Sequence, residues 1–338
     1  MNIAVSILIP ICNVESFLSK CLNSILSQNI KNIEILCIND GSKDNSLHII
    51  KSFARSDARI KIIDKPNTGY GDSMNCGLKM AQGEYIGIVE SDDFVDSRMF
   101  EILYNYAKKH DSDIVKSSFY FYWENPEKII YNNSFSINKL SLNFKENNYK
   151  LLNSIPSIWA AIYKRKFLIE NKICFLNTPG ASYQDTSFHF KTACLAKNVI
   201  LMPEAYLYYR QDNASSSVKN ATMEKVLVLH KELKEIRKFI NTLENKDILK
   251  IYYSIVIEKY MWNYERIETN QKKEYFKILV NEINQLHDEW NKYLTINNGV
   301  VKYLEFLSIK YNSKFTLDFL FTLRKIKRKY LKNKNEKK

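Results

Sequence analysis

Glycine and proline are scarce, 8 and 6 among 338 residues, which argues against long disordered linkers anywhere but at the very C-terminus. Cysteines are few and scattered: Cys12, Cys21, Cys37, Cys76, Cys174 and Cys194 stand singly, with no CxxC and no zinc-like spacing. Several fall in apolar stretches, where a reduced thiol behaves as a small hydrophobe. A cytoplasmic protein is therefore expected, and a disulfide framework is not. No apolar run approaches the ~20 residues that span a bilayer. The N-terminal MNIAVSILIPICNVE is apolar but lacks a basic n-region and a small-residue cleavage site, so no signal peptide is expected. GxxxxGKS/T is absent, which removes a P-loop; zinc-finger spacing and RNP-like aromatics are absent too, so nucleic-acid binding rests on charge alone and is not expected.

What is present is a soluble globular composition, 45% hydrophobic and 26% charged, enough for one large domain or two ordinary ones. The net charge is +13, and much of it sits in FTLRKIKRKYLKNKNEKK, residues 321–338. That tail reads either as a solvated terminus or as a contact with an anionic membrane surface, at the inner face of the cell membrane.

The first 120 residues alternate between two periods. Val5–Pro10, Ile33–Ile38, Ile60–Ile63 and Tyr85–Val89 are short apolar strand candidates. Helical spacing separates them, from Phe17 to Leu26, from Leu47 to Phe53 and from Asp72 to Ala81; a further helix over Ser97–Lys109 is capped by Asp96 or Ser97. This order predicts βαβ units and a mostly parallel α/β sheet. Ligands bind beyond the carboxyl ends of such strands, so the loops NDGS, NTGYG and ESDD should meet along one edge. IVKSSFYFYW (114–123) reads as a strand, residues 111–210 are mixed, and from about 221 the pattern is helical and basic. ASSSVKNAT, near 215–220, reads as a linker.

GEYIGIVESDD raises a chemical question, because an apolar strand ends in Glu90, Asp92 and Asp93. Their mutual repulsion has to be offset by water or by a cation. Mg²⁺ and Mn²⁺ take carboxylate oxygens, often one or two from the protein and the rest from phosphates. The plainer reading is an acidic turn. Asp40, in NDGSKDNS, can accept the N3–H of uracil or thymine, or can simply open an Asp-Gly turn.

In this order and spacing, VSILIPICNVESFLSKCLNSILSQ, EILCINDGSKDNS and NTGYGDSMNCGLKMAQGEYIGIVESDD resemble a family 2 glycosyltransferase of the GT-A fold. The match is strong over roughly 3–100. GASYQDTSFHFK (180–191) and YYRQDNASSS (208–217) resemble the acceptor-side half of bacterial members that build surface polysaccharides. The resemblance implies a GT-A domain over 1–215, with a donor-binding half at 1–110 and an acceptor half at 111–215, followed by a helical basic region at 216–338. It assigns the nucleobase to Asp40 and puts Pro10, Asn13 and Glu15 near the nucleotide, with Cys12 where an aromatic is common. Asn67, Gly69 and Asn75 fall in the third donor loop. There Met74 precedes Asn75 where the family often has arginine, and Arg210 is the candidate to compensate at the diphosphate. Glu90, Ser91, Asp92 and Asp93 match the family's D-S-D-D, with Asp92 as metal ligand and Mn²⁺ or Mg²⁺ as the implied ion. Gln184-Asp185 matches its E-D pair and makes Asp185 the general base, although Asp185 also suits a helix N-cap. His189 reads as structural, and Trp159 and Tyr206–Tyr209 as core more than as sugar-stacking faces.

The expectation is an inverting, metal-dependent transfer from a nucleotide-sugar, UDP or dTDP, to a saccharide or lipid-linked saccharide of a bacterial surface glycan. A degenerate transferase fold serving as a nucleotide-binding scaffold is the alternative, motivated by Glu90, Gln184 and Met74. A sugar-phosphate nucleotidyltransferase would need a glycine-rich, arginine-containing first loop, and PICNVES offers neither.

Overall fold

In a computed structural model of the chain, residues 2–214, 221–243, 246–284 and 300–335 are described. Backbone contacts divide the chain into two compact units, Met1–Ser216 and Ser217–Lys338. The linker read near 215–220 lies outside the described residues.

The first unit opens with β1 (Val5–Ile11), α1 (Glu15–Leu26), β2 (Ile33–Asp40), α2 (Ser46–Ser56), β3 (Ile60–Lys65), α3 (Tyr70–Met80) and β4 (Tyr85–Ile88). β1 and β2 are buried along their whole lengths, as continuous apolar strands covered on both faces should be. β1 pairs in parallel with β2 and β4, and β2 with β3. One polar group is placed inside this core. Glu34 is 2% exposed and accepts hydrogen bonds from Ser6 Oγ, Gln82 N and Lys61 Nζ. It thereby ties β1, β2, β3 and the turn before β4 together, with its buried charge fully partnered.

The chain continues through β5 (Phe94–Val95), α4 (Met99–His110), β6 (Ile114–Glu124), β7 (Glu127–Asn132), α5 (Phe144–Leu152), β8 (Ala161–Lys164), α6 (Arg165–Glu170), α7 (Asp185–Leu195) and β9 (Val199–Arg210). The strands form one nine-stranded sheet in the order β3-β2-β1-β4-β8-β6-β9-β5, with β7 paired to β6. Parallel pairing dominates the first half and is joined in the second by antiparallel pairs: β8 runs against both β4 and β6, and β5 against β9. α4 starts at Met99 without a side-chain cap; Asp96 instead accepts from the Arg98 N–H and guanidinium.

The second unit is helical: α8 (Met223–Ile240), α9 (Lys246–Arg266), α10 (Lys272–Asn284), α11 (Val300–Lys310) and α12 (Lys314–Asn335). Tyr252 Oη donates to Leu233 O at 3.0 Å, Tyr264 Oη to Asp318 at 2.8 Å, and the Tyr264 and Phe321 rings stack. Among the described residues no helix is long and apolar enough to cross a membrane.

Candidate active site

Parallel pairing aligns the strand ends. Ile11 of β1 lies beside Asn39 of β2, Asp40 beside Lys65 of β3, and Leu8 beside Ile88 of β4. The loops that follow therefore gather at one edge, as expected for ligand binding in an α/β sheet.

The first two loops lace into each other. After Pro10 and Cys12, Asn13 takes a left-handed backbone, φ 54°, which asparagine tolerates better than most residues. Its Oδ1 accepts from Lys43 N at 2.8 Å. Glu15 Oε2 accepts from Asn45 N at 2.8 Å, and Asp44 Oδ2 accepts from Glu15 N at 2.9 Å. Asn13 and Glu15 thus shape this end of the sheet by bracing the 41–45 turn. Asp40, buried at the tip of β2, accepts from Lys65 Nζ at 2.5 Å, Thr68 N at 2.9 Å and Gly69 N at 3.0 Å. Those three bonds leave one acceptor position on Oδ2. Asn67 Nδ2 donates to Asp40 O at 3.0 Å and to Cys12 Sγ at 3.3 Å.

The third loop packs onto residues 175–180. Tyr70 N donates to Gly180 O at 2.9 Å. Gly69 has φ 100°, and a Cβ there would lie 2.6 Å from Thr178 O. A Cβ on Gly71 would lie 2.1 Å from Leu176 O. Both positions demand glycine, one by conformation and one by closeness. Asn75 clasps the same segment, with Nδ2 donating to Phe175 O and Oδ1 accepting from Phe175 N, both at 2.9 Å.

The acids come together from two elements, the turn after β4 and the start of α7, and α3 adds Tyr70. Tyr70 Oη donates to Glu90 Oε1 at 2.7 Å. Burial pushes Glu90 up to about 8, helped by the negative charges of Asp92 and Asp185 and opposed by the Tyr70 bond. Asp93 is 1% exposed. Its Oδ1 accepts from Arg210 N at 2.8 Å, while Oδ2 is buried without a hydrogen-bond partner. Burial and the neighbouring Asp92 hold its carboxyl well above the usual range. Asp92 is half-buried at the tip, and its Oδ2 accepts from Asn213 at 2.8 Å. Ser91 is buried within the same turn. Asp185 is the first residue of α7, preceded by Gln184 as cap, a position where the helix dipole favours negative charge. Gln184 holds residues 178–182 in place, accepting from Ser182 N at 2.6 Å and donating to Thr178 Oγ1 at 2.9 Å. A glutamate could not make that donation.

Arg210, read from the sequence as a cation for a diphosphate, is almost fully buried and engages protein groups. Its guanidinium donates to Asp92 O at 3.0 Å, Glu124 at 2.9 Å and Asp212 at 3.2 Å, and lies over the Phe17 and Tyr122 rings. It positions the acidic turn. Trp159, at 7% exposure, is core; its ring lies 5.0 Å from that of half-buried Tyr209. His189 is buried, with Nε2 2.9 Å from Leu151 O.

Sequence reasoning missed Tyr70, Asn213 and Lys116. Lys116, in mid-β6, is 0% exposed, and its Nζ donates only a long bond, 3.5 Å, to Ile155 O. Burial pushes its amine down to about 7, with the charge of Asp185 acting in the opposite direction. A lysine inside a strand rich in apolar and aromatic residues was the available signal.

Among the described residues, no group of three or more acidic, histidine or cysteine side chains forms a cage for a metal. The donor set fits a shared cation instead, with one half-exposed carboxylate at Asp92, an unpartnered buried oxygen at Asp93 and phosphate oxygens from a ligand completing the shell.

A βα half that gathers an acidic strand-end turn, a glycine-bearing loop and a helix opening on aspartate, on a mixed nine-stranded sheet, is the GT-A glycosyltransferase fold. The chain belongs to glycosyl transferase family 2, whose model matches residues 6–171, including Asp40 and the acids but ending ahead of Asp185. It is 32% identical over 213 residues to the uncharacterized glycosyltransferase EpsJ of Bacillus subtilis, covering 62% of this chain and 61% of EpsJ. To the glycosyltransferase GlyG of Streptococcus pneumoniae it is 30% identical over 223 residues, covering 64% of this chain and 73% of GlyG. The chain thus spans about three fifths of EpsJ and about three quarters of GlyG. Its fold is similar to that of S. aureus TarS residues 1–349, with TM-score 0.72 at 17% identity over 94% of this chain and 90% of TarS 1–349. The same TarS fragment in complex with UDP-GlcNAc gives TM-score 0.72 at 18% identity, again over 94% and 90%.

Proposed function

We propose that the protein transfers a sugar from a UDP-sugar to a hydroxyl of a bacterial surface glycan, saccharide or lipid-linked, with inversion and with Mn²⁺ or Mg²⁺ as cofactor. The single observation that carries this reading is the convergence of Asp40, the Asn67–Gly69 loop, the Glu90–Asp93 turn and Asp185 at one sheet edge. TarS, which shares the fold, forms a complex with UDP-GlcNAc, and the relatives include a poly(ribitol-phosphate) beta-glucosyltransferase. These support a UDP-sugar donor and a polymer acceptor.

Asp40 would accept the uracil N3–H through its remaining Oδ2 position. The 67–69 backbone, held close by Gly69, would border the ribose and diphosphate. Asp92, with Glu90 and Asp93 behind it, would hold the divalent cation, which when bound stabilises negative charge on a departing diphosphate. Asp185 would take the proton of the acceptor hydroxyl as the new C1–O bond forms and the C1–O bond to phosphate breaks. Attack on the face opposite the diphosphate inverts the anomeric centre, and no enzyme nucleophile is involved.

The test is calorimetric titration of UDP, dTDP, GDP and CDP, with and without Mn²⁺, into wild type and Asp92→Ala. UDP binding that needs both Mn²⁺ and Asp92 is expected. Asp185→Asn should then bind UDP normally while failing to transfer. No diphosphate binding under any condition would overturn the reading, and binding without transfer by wild type would favour the scaffold alternative.

A further inference from the structure

The last helix has two apolar faces, and the helical unit uses one of them. Leu317, Leu320 and Phe321 of α12 are buried. Phe315 is 85% exposed, Phe319 55%, Leu323 46% and Ile326 60%. At about 100° per residue, positions 315, 319, 323 and 326 fall within an arc of about 80°, on the side of the helix opposite 317, 320 and 321. Tyr311, in the turn before α12, is 71% exposed.

Charge indicates what such a face would meet. Arg324 is held by Glu305 at 2.9 Å. From there to residue 338 the sequence carries nine lysines and arginines against one glutamate. An apolar stripe with two phenylalanines running into a cationic segment has the make-up of a helix that lies in a membrane interface. A single-sign cationic run complements anionic headgroups.

We propose that the Phe315–Ile326 face of α12 docks the protein on an anionic lipid surface, with the helix lying in the headgroup plane and the basic run beside it. This surface starts upstream of the charged tail, at Phe315, and runs into it.

The test is co-sedimentation of the full chain with phosphatidylcholine vesicles, with and without phosphatidylglycerol. Wild type should partition onto the phosphatidylglycerol vesicles, and less as salt is added. Phe315→Ser/Phe319→Ser and Lys327→Gln/Arg328→Gln should each lower partitioning about tenfold or more. The phenylalanine pair should leave thermal melting unchanged, since both side chains are exposed. Absence of wild-type partitioning, or equal partitioning by the phenylalanine variant, would overturn the proposal. So would self-association in solution that Phe315→Ser/Phe319→Ser abolishes, which would assign the face to a second copy. Vesicle binding requires no sugar donor, so its failure leaves the transferase reading untouched.

Discussion

Arg210 reaches across 118 residues of sequence to donate from Nε to the main-chain oxygen of Asp92 at 3.0 Å, while its own N–H serves Asp93 Oδ1 at 2.8 Å. The end of β9 therefore holds the acidic turn by its backbone and leaves the Asp92 carboxylate at the tip. Arg210→Ala should cost about 2–3 kcal/mol in urea unfolding, because it removes the charged hydrogen bonds and the cation–ring attraction together. On the transferase reading it should also slow sugar transfer on the order of a hundredfold through misplacement of the turn. Arg210→Lys should recover little, because an ammonium cannot reproduce the fork toward Asp92 O and Glu124. Full stability in the lysine variant would show that charge alone suffices.

Two glycines, one in the first turn of α3 and one in the 175–180 segment, separate closeness from conformation. Gly71→Ala puts a Cβ 2.1 Å from Leu176 O, so the 175–178 segment must shift. Gly180→Ala meets nothing within 4 Å but keeps a φ of +76°. We expect a loss of about 2–3 kcal/mol for Gly71→Ala and about 1 kcal/mol for Gly180→Ala, read from denaturant midpoints. On the transferase reading, UDP affinity should fall only for Gly71→Ala, because only that change forces the 175–178 segment and α3 apart. The reverse order of stability would mean that the loops do not close as described.

These pairs mark the limit of what could be read along the chain. β1 and β2 were legible because strands buried on both faces appear as mostly apolar runs between turn residues, here interrupted only by Ser6 and Glu34 before the strand ends. The strand-end loops followed from that, and with them Asp40 and the acids. β7, with the sequence EKIIYN, is exposed at five of six positions and gives no burial pattern. β9 is interrupted by Pro203 and Glu204, beside a register shift in its pairing with β6. Partnerships such as Asn75 with Phe175, 100 residues apart, leave no periodic trace. Arg210 read as a cation for diphosphate because its charge is visible in the sequence, whereas Glu124 and Asp212 are brought to it only by folding.

Tyr70 restrains the titration of Glu90. Its hydrogen bond stabilises the ionised carboxylate and opposes the burial that raises Glu90 to about 8. Tyr70→Phe should move the Glu90 midpoint upward in metal-free protein, followed by carboxyl carbon-13 NMR. It should cost about 1 kcal/mol of stability above that midpoint and less below it, where the protonated acid has no charge to satisfy. An unchanged or lower midpoint would remove the hydrogen bond from the account.

Burial of Lys116 makes the stability of the fold depend on pH. Its amine is pushed down to about 7 by burial in β6, whereas in the unfolded chain it titrates near about 10.4. Below pH 7 both states are protonated, and the cost of the buried charge is fully present. From about 7 to 10 the folded state has released its proton and the unfolded state has not, so stability rises with pH at up to about 1.4 kcal/mol per unit. Glu90 acts in the opposite direction. Its folded midpoint lies above its unfolded one, so it lowers stability as pH rises from about 4.3 to 8. The difference between wild type and Lys116→Met isolates the lysine. We expect Lys116→Met to be more stable at pH 6 by a few kcal/mol, with the advantage shrinking to near zero by pH 10. A methionine variant less stable than wild type at pH 6 would instead mean that the ammonium is paired inside the fold, with the charge of Asp185 outweighing burial.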